Sequence, residues 1–184
     1  NDYVYYYPDY VPSQWVLDLY SAGDARYSAY FTTLQTGYAH ALTFPLLTKY
    51  FGNESFLANI IYHVSKPKPF RLAEQYLIRA EAYCEKGQYG NANADLAALS
   101  QSRNAKAASL NASSWREVIS DERVKELYME GFRLHDLKRW NMGFERTHQS
   151  QAQPEGSTRK IAAGDYRFVW PIPQNDIEAP GSEI

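Results

Sequence analysis

Cysteine is almost absent from this sequence: Cys84 is the one thiol in 184 residues. A single thiol closes no intrachain disulfide, so cysteine usage does not identify a redox compartment. No apolar run reaches the length of a membrane-spanning helix, and no signal peptide or lipid-attachment motif is found. There is no initiator Met, and the chain is expected to be a fragment, with any export address upstream of Asn1. Positive charge is not in excess either. The net charge is -2 and acids alternate with bases, which argues against a nucleic-acid partner. The sequence has no Gly-rich phosphate loop and no nucleophile elbow. No second His or Cys stands at ligand spacing from His135-Asp136, so neither a cofactor nor a metal is expected.

What the chain has in abundance is tyrosine, with 16 copies beside 8 Phe and 4 Trp. Such rings combine apolar area with a polar tip and serve cores, interfaces and sugar stacking alike. Tyr3, Tyr5, Tyr6, Tyr7 and Tyr10 crowd the first residues, where Pro8 and Pro12 exclude helix. A short helix is expected after Ser13, ending near Gly23. Residues 26–51 lack helical periodicity and read as extended, irregular chain. From Arg71 the signal sharpens. Leu72, Ala73, Tyr76, Leu77, Ala80, Tyr83 and Cys84 fall on one helical face, and Glu74, Glu81 and Glu85 on the other. Cys84 is therefore expected to be an inert buried thiol. Gly87 and Gly90 break the pattern, and Asn91 is placed to cap a second helix. The order Ala80, Tyr83, Gly87, Tyr89, Ala92, Leu96 is that of a tetratricopeptide-like helix pair. One such pair cannot cover its own outer face.

The next helix starts near Ser114, whose spacing to Glu117 is that of a capping box. It runs into the densest stretch of charge, Asp121 to Trp140. As one straight helix, this stretch would place His135 and Lys138 among Val124, Leu127 and Leu134. A break at Gly131 removes that conflict, with one helix ending near Glu130 and another running from about Leu134 to Asn141. The break gathers Glu122, Arg123, Glu126, Glu130, Arg133, Asp136 and Arg139, with Arg123–Glu126 and Asp136–Arg139 at i,i+3 spacing. This set is read as a buried ionic corner that fixes how two helices meet. Glu126 and Glu130 as a glycosidase-type pair is the competing reading. A polar loop follows, and Pro171 and Pro173 make the end of the chain extended. The fold class is thus mainly α: a tetratricopeptide-like hairpin, further helices, and loop-rich and short extended segments. The chain is taken as a single domain or fragment, with a loop-rich segment (1–70), a helical scaffold (71–141) and a C-terminal segment (142–184).

Three segments in order, "RLAEQYLIRAEAY" (71–83), "ERVKELYMEGFRLHDLKRW" (122–140) and "WPIPQNDI" (170–177), together with Asp24-Ala25-Arg26, resemble the C-terminal portion of the SusD/RagB family. The resemblance implies a nutrient-binding, usually glycan-binding, lipoprotein of the Bacteroidetes outer membrane, anchored through a Cys upstream of this chain. It implies a TonB-dependent transporter of the SusC type as partner, an oligosaccharide as ligand, and no catalysis. The matching motifs are scaffold motifs and identify no ligand contact. On physical grounds Tyr5, Tyr6, Tyr7, Tyr10 and Trp15 are the candidates for stacking on sugar, with packing against a missing N-terminal half as the competing role. Trp115, Trp140 and Trp170 are expected in the core. A tetratricopeptide-type protein adaptor and a glycoside hydrolase are the alternative functions.

Overall fold

The computed structural model describes residues 10–35, 43–50, 64–66, 68–146 and 160–179. Helix α1, Gln14–Asp18, buries Val16 and Leu17 and is followed by Gly23 in the left-handed region. Helix α2 is Ala25–Tyr30. It leads directly into strand β1, Phe31–Gln35, which pairs antiparallel with β2, Thr43–Leu47. Extended, irregular chain is therefore a correct expectation for the strands and an incorrect one for α2. Six residues are too few for an apolar period to show. The helix starts because the Asp24 side chain accepts the Arg26 backbone N–H at 3.0 Å.

The hairpin expected from Arg71 onward is present as α3, Leu72–Glu85, and α4, Tyr89–Ser102. Leu77, Ala80, Ala92 and Leu96 are buried between them, with Tyr83 and Tyr89 packed at the margin. Two alanines facing each other let the helices approach. Burying each leucine removes enough apolar surface to contribute roughly 1.5–3 kcal/mol. Cys84 is buried in the same cluster, and burial raises its thiol pKa. Leu72, by contrast, is exposed and does not join that face. The second helix begins at Tyr89, so Asn91 lies inside it and is not its cap. Gly87 adopts φ +68, and Gln88 donates its N–H to Tyr83 O at 2.8 Å. This turn leaves Gln88 in the cap position, three residues before Asn91.

Helix α5, Trp115–Glu126, covers the outer face of α3 and adds Ile119 to the shared core. The chain thus supplies its own cover for the helix pair. The Ser114–Glu117 capping box does not form. The Ser114 hydroxyl instead accepts from Asn111 N–H, while the Asn111 side chain accepts from the N–H groups of Ser113 and Ser114. The break near Gly131 is present but starts earlier than expected: α5 ends at Glu126, and α6 spans Phe132–Arg139. Gly131 has φ +87, and Met129 is also left-handed at φ +58. His135 and Lys138 accordingly face solvent.

Beyond α6, short strands β3, Phe144–Glu145, and β4, Lys160–Ile161, pair antiparallel. A 3₁₀ turn at Tyr166–Phe168 buries Phe168. Contrary to the extended chain expected at Pro171 and Pro173, Pro173 occupies the position before α7, Gln174–Ile177. A proline is tolerated at a helix start because no N–H is required there. Trp140 is buried and Trp115 packs on the core, as expected, whereas Trp170 is 82% exposed.

Candidate functional site

The charged corner is built around Glu126, whose side chain has 0% exposure. Arginines from the ends of three elements converge on it. Arg26, in the first turn of α2, reaches it at 3.4 Å. Arg103, at the end of α4, donates Nε at 3.1 Å and Nη2 at 2.8 Å. Arg71, just before α3, pairs with the second oxygen. The early end of α5 is part of the same design. The Glu126 carbonyl accepts from Lys49 Nζ and Arg71 Nη1, each at 3.0 Å, and from the Tyr30 hydroxyl at 3.3 Å. Cations at the carboxyl end of a helix are favourable, since unsatisfied carbonyls point there. Lys49 also pairs with Glu130 at 2.5 Å and lies 4.1 Å from the Tyr30 ring centroid.

Arg26 is equally enclosed, at 2% exposure, and is held by three carboxylates. Asp24 accepts its Nη2 at 2.7 Å, Glu122 its Nη1 at 3.3 Å, and Glu126 completes the set. Glu122 is shared with Lys125. A second node joins α6 to α5 and α3. Asp136 accepts Arg123 Nε at 2.7 Å and Arg139 Nε at 3.0 Å. Glu81 accepts Arg139 Nη2 at 2.8 Å and the Trp140 indole N–H at 2.9 Å. Asp136–Arg139 is thus formed as expected, but Arg123–Glu126 is not: Arg123 turns to Asp136, leaving Glu126 to distant arginines. Arg133 donates to Ser120 Oγ at 2.8 Å and has no carboxylate partner among the described residues.

Burial alone would raise the Glu126 carboxyl pKa, but hydrogen bonds from Arg103 and the charges of Arg103, Arg71 and Arg26 outweigh it and hold it low. At Asp24, burial is likewise outweighed by Arg26, and at Glu81 by Arg139 and Trp140. A folded pKa below the unfolded one contributes stability above the unfolded value and loses it as pH falls through the folded value. Thermal unfolding midpoints should therefore be level above roughly pH 5 and drop steeply below about pH 4. Melts across this range check it, and a midpoint unchanged down to about pH 3 contradicts it.

The arrangement does not suit acid–base chemistry. Glu126 and Glu122 are sealed from solvent and held by cations, while Glu130 accepts from Arg71 at 2.5 Å and Tyr50 at 3.2 Å. Among the described residues no acidic, His or Cys group forms a metal-binding set. Of the candidate stacking residues, Tyr5, Tyr6 and Tyr7 lie outside the described residues. Tyr10 is 86% exposed. Trp15 is half-buried in the wall of an apolar cleft of about 440 Å³, with the Arg133 guanidinium 6.0 Å from its ring centroid. Sequence reading identifies Glu122, Glu126, Glu130 and Asp136 with Arg123 and Arg139, but not the acids Asp24 and Glu81 or the cations Arg26, Lys49, Arg71 and Arg103. Arg71, Arg103 and Lys49 each stand at or near the end of an element; that position is the available signal.

A family model described as the SusD family matches residues 3–181. The starch-binding protein SusD of Bacteroides thetaiotaomicron is 35% identical over 108 residues, covering 59% of this chain and 19% of that protein. A SusD-like carbohydrate binding protein from Bacteroides vulgatus superposes with a TM-score of 0.70 at 21% identity, over 89% of this chain and 39% of that one. A SusD superfamily protein from the same species gives 0.62 at 26% identity, over 84% and 33%. This chain therefore spans well under half the length of these relatives.

Proposed function

The chain belongs to the SusD family, and on that premise we propose that it is part of a non-catalytic glycan-binding protein of the bacterial outer surface. The observation that carries this reading is the 35% identity to a starch-binding protein over 108 residues. The corner's carboxylates are held by arginines and lysines, which argues against Glu126 and Glu130 as an acid–base pair. Delivery of the bound oligosaccharide to a TonB-dependent transporter, with attachment to the outer membrane through lipid, is part of the same proposal. Among the described residues no helix is long and apolar enough to cross a membrane. Sugar capture falls to exposed rings, and Tyr10 offers an open face suited to the C–H surface of a sugar.

Titration calorimetry against starch-derived and other oligosaccharides tests this. Binding is expected with at least one glycan, and Tyr10→Ala should weaken it by roughly tenfold, the size of a lost aromatic anchor. No heat with any glycan, or turnover of one, counts against the reading.

A further inference from the structure

Arg133 differs from the other arginines of the helical corner. Arg26, Arg71, Arg103, Arg123 and Arg139 each reach a carboxylate, whereas Arg133 reaches none among the described residues. Its Nη1 is occupied by Ser120 Oγ at 2.8 Å. Nε and Nη2 make no hydrogen bond to a described residue, and neither is sealed from solvent as Arg123 Nη1 is. The Nε–Nη2 edge takes both oxygens of one carboxylate side by side. The protein uses it so elsewhere: Arg79 on Asp95, Arg103 on Glu126 and Arg167 on Asp165. Burial lowers the Arg133 pKa, although the charges of Asp136 and Asp121 oppose this.

Arg133 stands in the wall of the cleft. Trp15, Phe132, Phe144 and Phe168 give the cleft aromatic sides, and its volume is that of a small-molecule site. Its acids are already engaged: Asp136 holds Arg123 and Arg139, and Glu145 pairs with Lys160 at 2.9 Å. Arg146 lies 5.4 Å from the Phe144 ring centroid, and Ser13 adds a hydroxyl. Three arginines, Arg123, Arg133 and Arg146, against these two acids leave the lining net positive. A sugar would set most of its hydroxyls against rings, at a cost. An apolar body carrying one anionic group matches the rings and the open guanidinium edge.

We propose that the cleft binds a small organic acid, its carboxylate on the Nε–Nη2 edge of Arg133 and its aromatic or aliphatic body against Trp15, Phe144 and Phe168. This inference does not rest on the glycan reading. Titration calorimetry on the full-length polypeptide that the gene encodes tests it, with naphthylacetate as the acid and naphthylacetamide as its uncharged isostere. The acid should bind at a single site and the amide at least about tenfold more weakly, the size of a lost charged hydrogen-bond pair. Arg133→Gln should bring the acid down to the affinity of the amide and leave the amide unchanged. Trp15→Ala should weaken both alike. No binding of the acid, equal affinity for acid and amide, or an acid affinity that neither substitution changes overturns the proposal. The comparison of acid with amide on the parent chain decides it even where Arg133→Gln does not fold.

Discussion

Glu126→Gln lowers the unfolding free energy by roughly 3–5 kcal/mol, the cost of breaking a buried charge cluster by removing one partner. Glutamine matches glutamate in shape, so the loss is not one of packing. It arises because Arg26, Arg71 and Arg103 keep their charge in a water-excluded corner after losing the carboxylate at which they meet. The amide also brings N–H donors to where only acceptors fit, setting donor against guanidinium donor. Domains of this kind hold about 5–15 kcal/mol in all, so a loss of this size leaves them marginal. Urea titration at neutral pH measures it. A change below about 1 kcal/mol would show that the corner is loosely solvated.

Arg26→Met should be as damaging, again by roughly 3–5 kcal/mol, through the opposite imbalance. Methionine fills part of the space but leaves Asp24, Glu122 and Glu126 facing each other without the shared cation. Asp24 also caps α2, so the start of that helix loosens with it. Arg26→Lys should not restore stability. A lysine cannot place two donors on Asp24 while reaching Glu122 and Glu126. Equilibrium unfolding of both variants checks this, and a lysine variant as stable as the parent would argue that charge alone, without the fork, holds the corner.

The same locality that makes α3 and α4 legible in sequence makes the corner only half legible. Leu77, Ala80, Cys84, Ala92 and Leu96 recur at helical spacing, so the hairpin can be read without knowing what covers it. Glu122, Arg123, Glu126 and Asp136 lie within one stretch, and their density already indicated an ionic joint. Which cation meets which acid was not legible. Arg26 and Arg71 are remote in sequence, and local spacing wrongly paired Arg123 with Glu126. Helix starts failed where side chains had competing partners: Ser114 is taken by the Asn111 turn, and Asn91 is overtaken by the turn at Gly87. The motif setting of Trp170 points to the core, yet nothing in a Pro-flanked segment of this length specifies a buried face, and the ring is exposed. The ligand candidates at Tyr5, Tyr6 and Tyr7 lie outside the described residues, and of the rest Tyr10 alone presents an open ring.

The charges from Glu122 to Arg139, with Arg26 inserted among them, hold the helical corner together. A double-mutant cycle between Arg26→Met and Glu126→Gln, read by equilibrium unfolding, tests it most directly. The account predicts that the double variant is more stable than the sum of the single losses implies, by about 2 kcal/mol or more. Single losses that add to within about 0.5 kcal/mol would contradict it, because two side chains that do not feel each other cannot be binding the corner together.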